Sequence, residues 1–93
     1  MDVKLKGIYR HFKGDYYLVE DIAEHSETGE KLVIYRSLYG KSKLYVRAYD
    51  MFVDNVDKEK YPDADQEFRF EIQHIRSVNK EKKLMKDVII CDK

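Results

Sequence analysis

The sequence predicts a small, mainly β domain, and three features carry that prediction. Runs of β-branched and aromatic residues recur about every ten positions, polar turns holding Gly, Ser, Thr or Asp separate them, and one late segment alternates strictly between apolar and polar side chains. Such spacing belongs to a small sandwich or barrel of strands rather than to packed helices.

Leu5 to Phe12 is rich in apolar and aromatic residues and leads through Lys13-Gly14-Asp15 into a second β-prone run, Tyr16 to Ile22, which together read as a hairpin. His25 to Glu30 contains Ser26, Thr28 and Gly29, residue types that bond their own backbone or accept positive φ, and so reads as the next turn. Lys31 to Leu38 alternates with apolar groups on both faces in its first half, the pattern of a central strand. After a polar connection, Gly40 to Lys43, the run Leu44 to Ala48 forms a short fourth strand.

Tyr49 to Val56 breaks the alternation, because Met51, Phe52, Val53 and Val56 are spaced for a short helix. Lys58 to Gln66 surrounds Pro62 with Asp and Lys and reads as an exposed loop. Glu67 to His74 is the clearest strand, with Phe68, Phe70, Ile72 and His74 on one face and Arg69, Glu71 and Gln73 on the other. Farther on, Asn79 suits the cap of a helix over Lys80 to Lys86, whereas Val88-Ile89-Ile90 favours a strand, the reading taken for Asp87 to Cys91. Residues 1–76 are thus expected to form the domain, and 77–93 a C-terminal extension packed on it or added to it.

A chain of 93 residues supports one domain with one modest core. Its 43% hydrophobic content, with eight Tyr and four Phe, is too high for a disordered chain. The lone Cys91 has no partner for an internal disulfide, which fits a reducing compartment. No apolar run approaches the roughly 18 residues of a membrane span, and MDVKLKG lacks the apolar stretch of a secretory signal, so a cytoplasmic protein without membrane contact is expected. The net charge of zero hides blocks: residues 15–30 hold six acids and no Lys or Arg, while residues 31–49 hold five bases and no acid. A neutral chain has no general affinity for polyanions, so any anion site depends on folding to gather basic segments together.

The stretch Gly7-Ile8-Tyr9-Arg10-His11-Phe12-Lys13-Gly14 resembles the opening of a bacterial family catalogued as domain of unknown function 1653. Tyr17 and Val19, Ile22-Ala23, His25-Ser26-Glu27-Thr28 with Glu30, Leu32-Val33 and Tyr35, Leu38-Tyr39-Gly40, Val46-Arg47 and Met51-Phe52 follow at that family's spacing. Tyr45 stands where the family usually has Trp, and Ala48 where it usually has Pro. The resemblance covers about residues 7 to 52 with a weaker Phe68-Arg69-Phe70 ending, and it implies a small SH3-like barrel of about five strands with a short helical turn. It implies no activity.

His11, His25 and His74 are scattered and Cys91 has no second cysteine, so neither a metal site nor another cofactor is expected. His25-Ser26-Glu27-Thr28 contains the residue types of a nucleophilic triad, but triad partners normally come from separate elements, and backbone bonding in a turn accounts for these residues. Glu20, Asp21 and Glu24 read as a solvated acidic face.

The distinctive set interleaves rings with positive charge: Tyr9, Arg10, His11 and Lys13, then Arg36, Tyr39, Tyr45 and Arg47. Guanidinium groups hold phosphates or carboxylates and ring faces accept bases, although a domain this small also spends aromatics on its core. These residues are the expected ligand contacts of a non-catalytic binding or adaptor module, its partner being nucleic acid, a nucleotide, or a peptide segment of another protein. The alternatives are a small nucleotide-related enzyme or accessory domain using His11 or His25 as acid–base, and a structural module that forms a homodimer through its C-terminal segment.

Overall fold

In a computed structural model, which describes residues 2–74, the chain forms one five-stranded antiparallel sheet and one short helix. The extension 77–93, its expected strand and the dimer contact assigned to it lie outside the described residues. In chain order the elements are β1 (Ile8–His11), β2 (Tyr16–Glu24), β3 (Lys31–Ser37), β4 (Leu44–Ala48), α1 (Tyr49–Phe52) and β5 (Phe70–Gln73). The strands lie in the order β4-β3-β2-β1-β5, so β3 is flanked on both sides while β2 holds the middle position.

Turn chemistry sets the strand ends. β1 begins later than its apolar run because Lys6 adopts φ 64° and the Gly7 N–H donates to the Lys4 carbonyl. A Cβ at Gly7 would sit 3.1 Å from that carbonyl oxygen and 3.1 Å from the Tyr9 ring, so a side chain there would press on both at the tight entry to β1. At the β1–β2 turn the Gly14 N–H donates to the His11 carbonyl at 2.7 Å, with Gly14 at φ 113°. In the β2–β3 turn His25 Nδ1 accepts the Glu27 N–H at 3.2 Å and Thr28 Oγ1 accepts the Glu30 N–H at 3.1 Å. The His25 to Thr28 stretch is therefore bound up in holding its own backbone.

Residues opposite one another across antiparallel strands share a face. Tyr9 faces Tyr17 and Ile72, and Tyr35 faces Val19 and Tyr45, which defines an inner face carrying the core: Tyr9, Val19, Val33, Tyr35, Phe52 and Phe70. Period two sends Arg10 and Arg36, which alternate with these residues, to the outer face. The helix is shorter than its apolar spacing predicts. One turn suffices to lay Phe52 flat on Phe70, ring centroids 4.2 Å apart, after which Val56 donates its N–H to the Glu67 carbonyl instead of continuing the helix.

Residues 54–56 pair briefly with 67–69 through an Asn55–Phe68 bridge, shortening the expected strand Glu67 to His74 to its second half. The loop between is fastened to β1 by buried Gln66, whose side-chain amide donates to the carbonyls of Arg10 and Phe68 and accepts from the Arg10 guanidinium. A fully closed SH3-like barrel would pair its two edge strands with each other. Among the described residues β4 and β5 share no ladder, so the architecture is a mainly β, open five-stranded sheet curled around one core.

Candidate anion-binding pocket

β1 and its turn contribute His11, Phe12 and Lys13, β4 contributes Arg47, and the return before β5 contributes Asp57, Lys60, Tyr61 and Arg69; together they line a pocket of about 340 Å³. Its position follows from the topology. The Phe12 N–H donates to the Arg69 carbonyl at 2.9 Å, prolonging the β1–β5 pairing, while Gln66 draws the 58–66 loop down beside β1.

One wall is aromatic. His11 stacks on Phe12 with centroids 4.6 Å apart, Phe12 meets Tyr61 edge-to-face at 4.9 Å, and Lys13 Nζ lies 5.3 Å from the Tyr61 centroid. On the other side Arg47 donates from Nε to the Tyr35 hydroxyl at 3.2 Å and sets its guanidinium 5.8 Å from the Phe70 ring. Arg69 approaches Asp54 at only 3.8 Å, and its Nε is buried with no hydrogen-bond partner among the described residues. Lys13, Arg47 and Lys60 form no ion pair among the described residues.

Four cations therefore share the pocket with a single carboxylate, Asp57, whose Oδ1 accepts the Glu59 N–H at 3.1 Å. The imidazole does not add to the charge. Burial, then the charges of Arg47, Arg69 and Lys13, depress its pKa from 6.5 to about 4, against a smaller opposing pull from Asp15. His11 Nδ1 accepts the Lys13 N–H at 3.1 Å, so the neutral ring carries its proton on Nε2. A neutral Nε2–H is a donor suited to an anion, and a ring that protonates only near pH 4 is a poor acid–base group at neutral pH.

The residues singled out from the sequence divide among three places. His11, Lys13 and Arg47 meet in the pocket. Tyr9 is a core residue, 1% exposed, with its hydroxyl accepting the Lys4 N–H, and so presents no surface to a ligand. On the outer face Arg10 is tied to Asp65 and Gln66, and Arg36 binds Glu20 at 2.9 Å and the Ser42 carbonyl at 2.8 Å. Arg36, then Lys6, holds the Glu20 carboxyl below its ordinary value. Tyr39 and Tyr45 flank Tyr17: the Tyr39 and Tyr17 hydroxyls are 3.0 Å apart, and Tyr45 tilts against Tyr35 at 5.7 Å. Burial and the Tyr39 hydrogen bond raise the Tyr17 pKa.

Lys60, Tyr61 and Arg69 are pocket residues that sequence reasoning missed. Lys60-Tyr61 repeats the ring-and-cation pairing of Phe12-Lys13, a signal present in the sequence of the loop. Among the described residues no group of three or more His, Cys, Asp or Glu is placed to hold a metal. No helix among them is long and apolar enough to cross a membrane.

Fold and site together define a small antiparallel β domain with a cationic, aromatic-walled pocket between its first strand and the return to its last. The chain belongs to the family described as "Protein of unknown function (DUF1653)", whose model matches residues 7–72. It is similar to the crystal structure of a protein of that family from Bordetella bronchiseptica, at 32% identity and a TM-score of 0.64, over 82% of this chain and 95% of that one. No curated protein matches the chain.

Proposed function

We propose that the domain is a non-catalytic binding module whose ligand places an anionic group in the pocket between Lys13, Arg47, Lys60 and Arg69. The observation that carries this reading is the charge surplus: four cations, three of them without ion pairs among the described residues, face one carboxylate and a neutral imidazole. Unpaired cations gathered in a concave site focus potential and raise the local concentration of anions. Nucleotide or nucleic acid is favoured over a peptide because Phe12 and Tyr61 set ring planes beside the charges. The protonation state of His11 argues against the version of the enzyme alternative that uses it as acid–base, and His25 Nδ1 is taken by the Glu27 N–H of its own turn.

An SH3-like barrel remains our finer reading of the fold. It is supported by the approach of Arg47 on one edge strand to Phe70 on the other, and by the Asn55–Phe68 bridge that links the two sides. Residues 1–76 are the proposed domain, and the lone cysteine supports a cytoplasmic location.

The test is calorimetric titration of the chain with pyrophosphate. Binding is expected to weaken as salt rises and to fall about tenfold or more in an Arg47→Ala, Lys60→Ala double variant that keeps its fold, the loss of two charge-assisted contacts. Equal binding by that variant, or no binding by the wild type at low salt, would overturn the proposal.

A further inference from the structure

We propose that the pocket takes a single doubly charged phosphate carried on a flat ring system, a phosphomonoester of the nucleoside monophosphate type, rather than the diester backbone of a polymer. This rests on the pocket being the binding site. A polymer backbone asks for cations laid along a groove, so that successive phosphates each meet one. Here the two strand arginines of the outer face are spent elsewhere: Arg10 on Asp65 and Gln66, and Arg36 on Glu20, which Lys6 also meets.

Three cations without ion pairs among the described residues, Lys13, Arg47 and Lys60, meet with Arg69 at one cavity of about 340 Å³, near the small end of the roughly 300–1,000 Å³ range of small-molecule sites. A surplus of positive charge at one point discriminates by the charge on one group. A phosphomonoester brings nearly two negative charges at neutral pH and a diester brings one. Arg69, which also lines the pocket, holds a buried Nε–H with no hydrogen-bond partner among the described residues. The edge-to-face pair of Phe12 and Tyr61 at the same mouth offers the surface against which a base or similar ring packs.

The experiment is calorimetric titration of the full chain at neutral pH and low salt with AMP, cyclic AMP, adenosine and inorganic phosphate. AMP and cyclic AMP share base and ribose and differ in phosphate charge. AMP is expected to bind about tenfold or more tightly than cyclic AMP. It should also exceed inorganic phosphate, while adenosine gives no measurable heat. Lys60→Ala, at an exposed position, should lower AMP affinity by about fivefold or more, whereas Lys6→Ala on the outer face leaves it unchanged. Equal affinities for AMP and cyclic AMP would overturn this inference and leave the anion pocket standing. Silence towards both AMP and inorganic phosphate would overturn the two together.

Discussion

His11 shows how one residue's surroundings decide its chemistry. An imidazole in water gains a proton near pH 6.5, but here burial and three nearby cations hold it neutral to about pH 4. The unfolded chain therefore takes up the proton first. The stability His11 contributes is complete above the unfolded value of 6.5 and is lost as pH falls through the folded value of about 4. Urea unfolding at neutral and mildly acidic pH should show the wild type losing more stability than a His11→Asn variant over that window; parallel losses would mean the imidazole is not shielded. A bound anion works the other way, offsetting the cations, so phosphate should move the His11 titration upward in proton NMR. Which residues share the pocket was only partly legible at this scale. Alternation alone separates His11 from Arg10, since neighbours on a strand face opposite ways, and the same rule parts Arg36 from Tyr35. Arg69, by contrast, reads as the solvent-facing partner of Phe68 and Phe70, and nothing local reveals that its chain segment lies against Phe12.

Among the elements, the loop from 58 to 66 matters more than its composition suggests. Pro62 and its charged neighbours read as an exposed loop, and most of these residues are exposed, yet Gln66 is 6% exposed and tethers the loop's end to β1. Gln66→Ala would leave the half-buried Arg10 carbonyl without this donor and release Arg10, at an expected cost of about 1–3 kcal/mol. Anion affinity should fall as well, because the pocket wall bearing Lys60 and Tyr61 loses its anchor. A chemical-denaturation curve with a parallel phosphate titration checks both, and an unchanged affinity in a destabilised variant would show that the wall is held by other means. Helix α1 illustrates the limit of periodicity. The spacing of Met51, Phe52, Val53 and Val56 suits a helix throughout, but the chain leaves it after one turn because Val56 finds a backbone partner in Glu67, eleven residues away in sequence.

For the whole molecule, the core and the pocket share a wall. Phe70 is 1% exposed, stacks on Phe52, meets His11 edge-to-face at 4.9 Å and lies beneath the Arg47 guanidinium. Phe70→Ala is expected to cost about 3–5 kcal/mol, a large share of the roughly 5–15 kcal/mol that holds a domain together, and thermal unfolding should show a correspondingly lowered midpoint. Strand number and strand order by hairpins were legible because each turn announces itself through Gly14, Gly29 and Gly40. The pairing of β1 with β5 was not, since it joins residues some sixty apart and rests on side chains the turns do not specify. The most direct test follows amide and side-chain NMR signals of the full chain as inorganic phosphate is added. The largest shifts should fall on His11, Lys13, Arg47, Lys60, Tyr61 and Arg69. Shifts centred instead on Arg10 and Arg36 on the outer face, or none at all, would contradict the assignment of the pocket as the binding site.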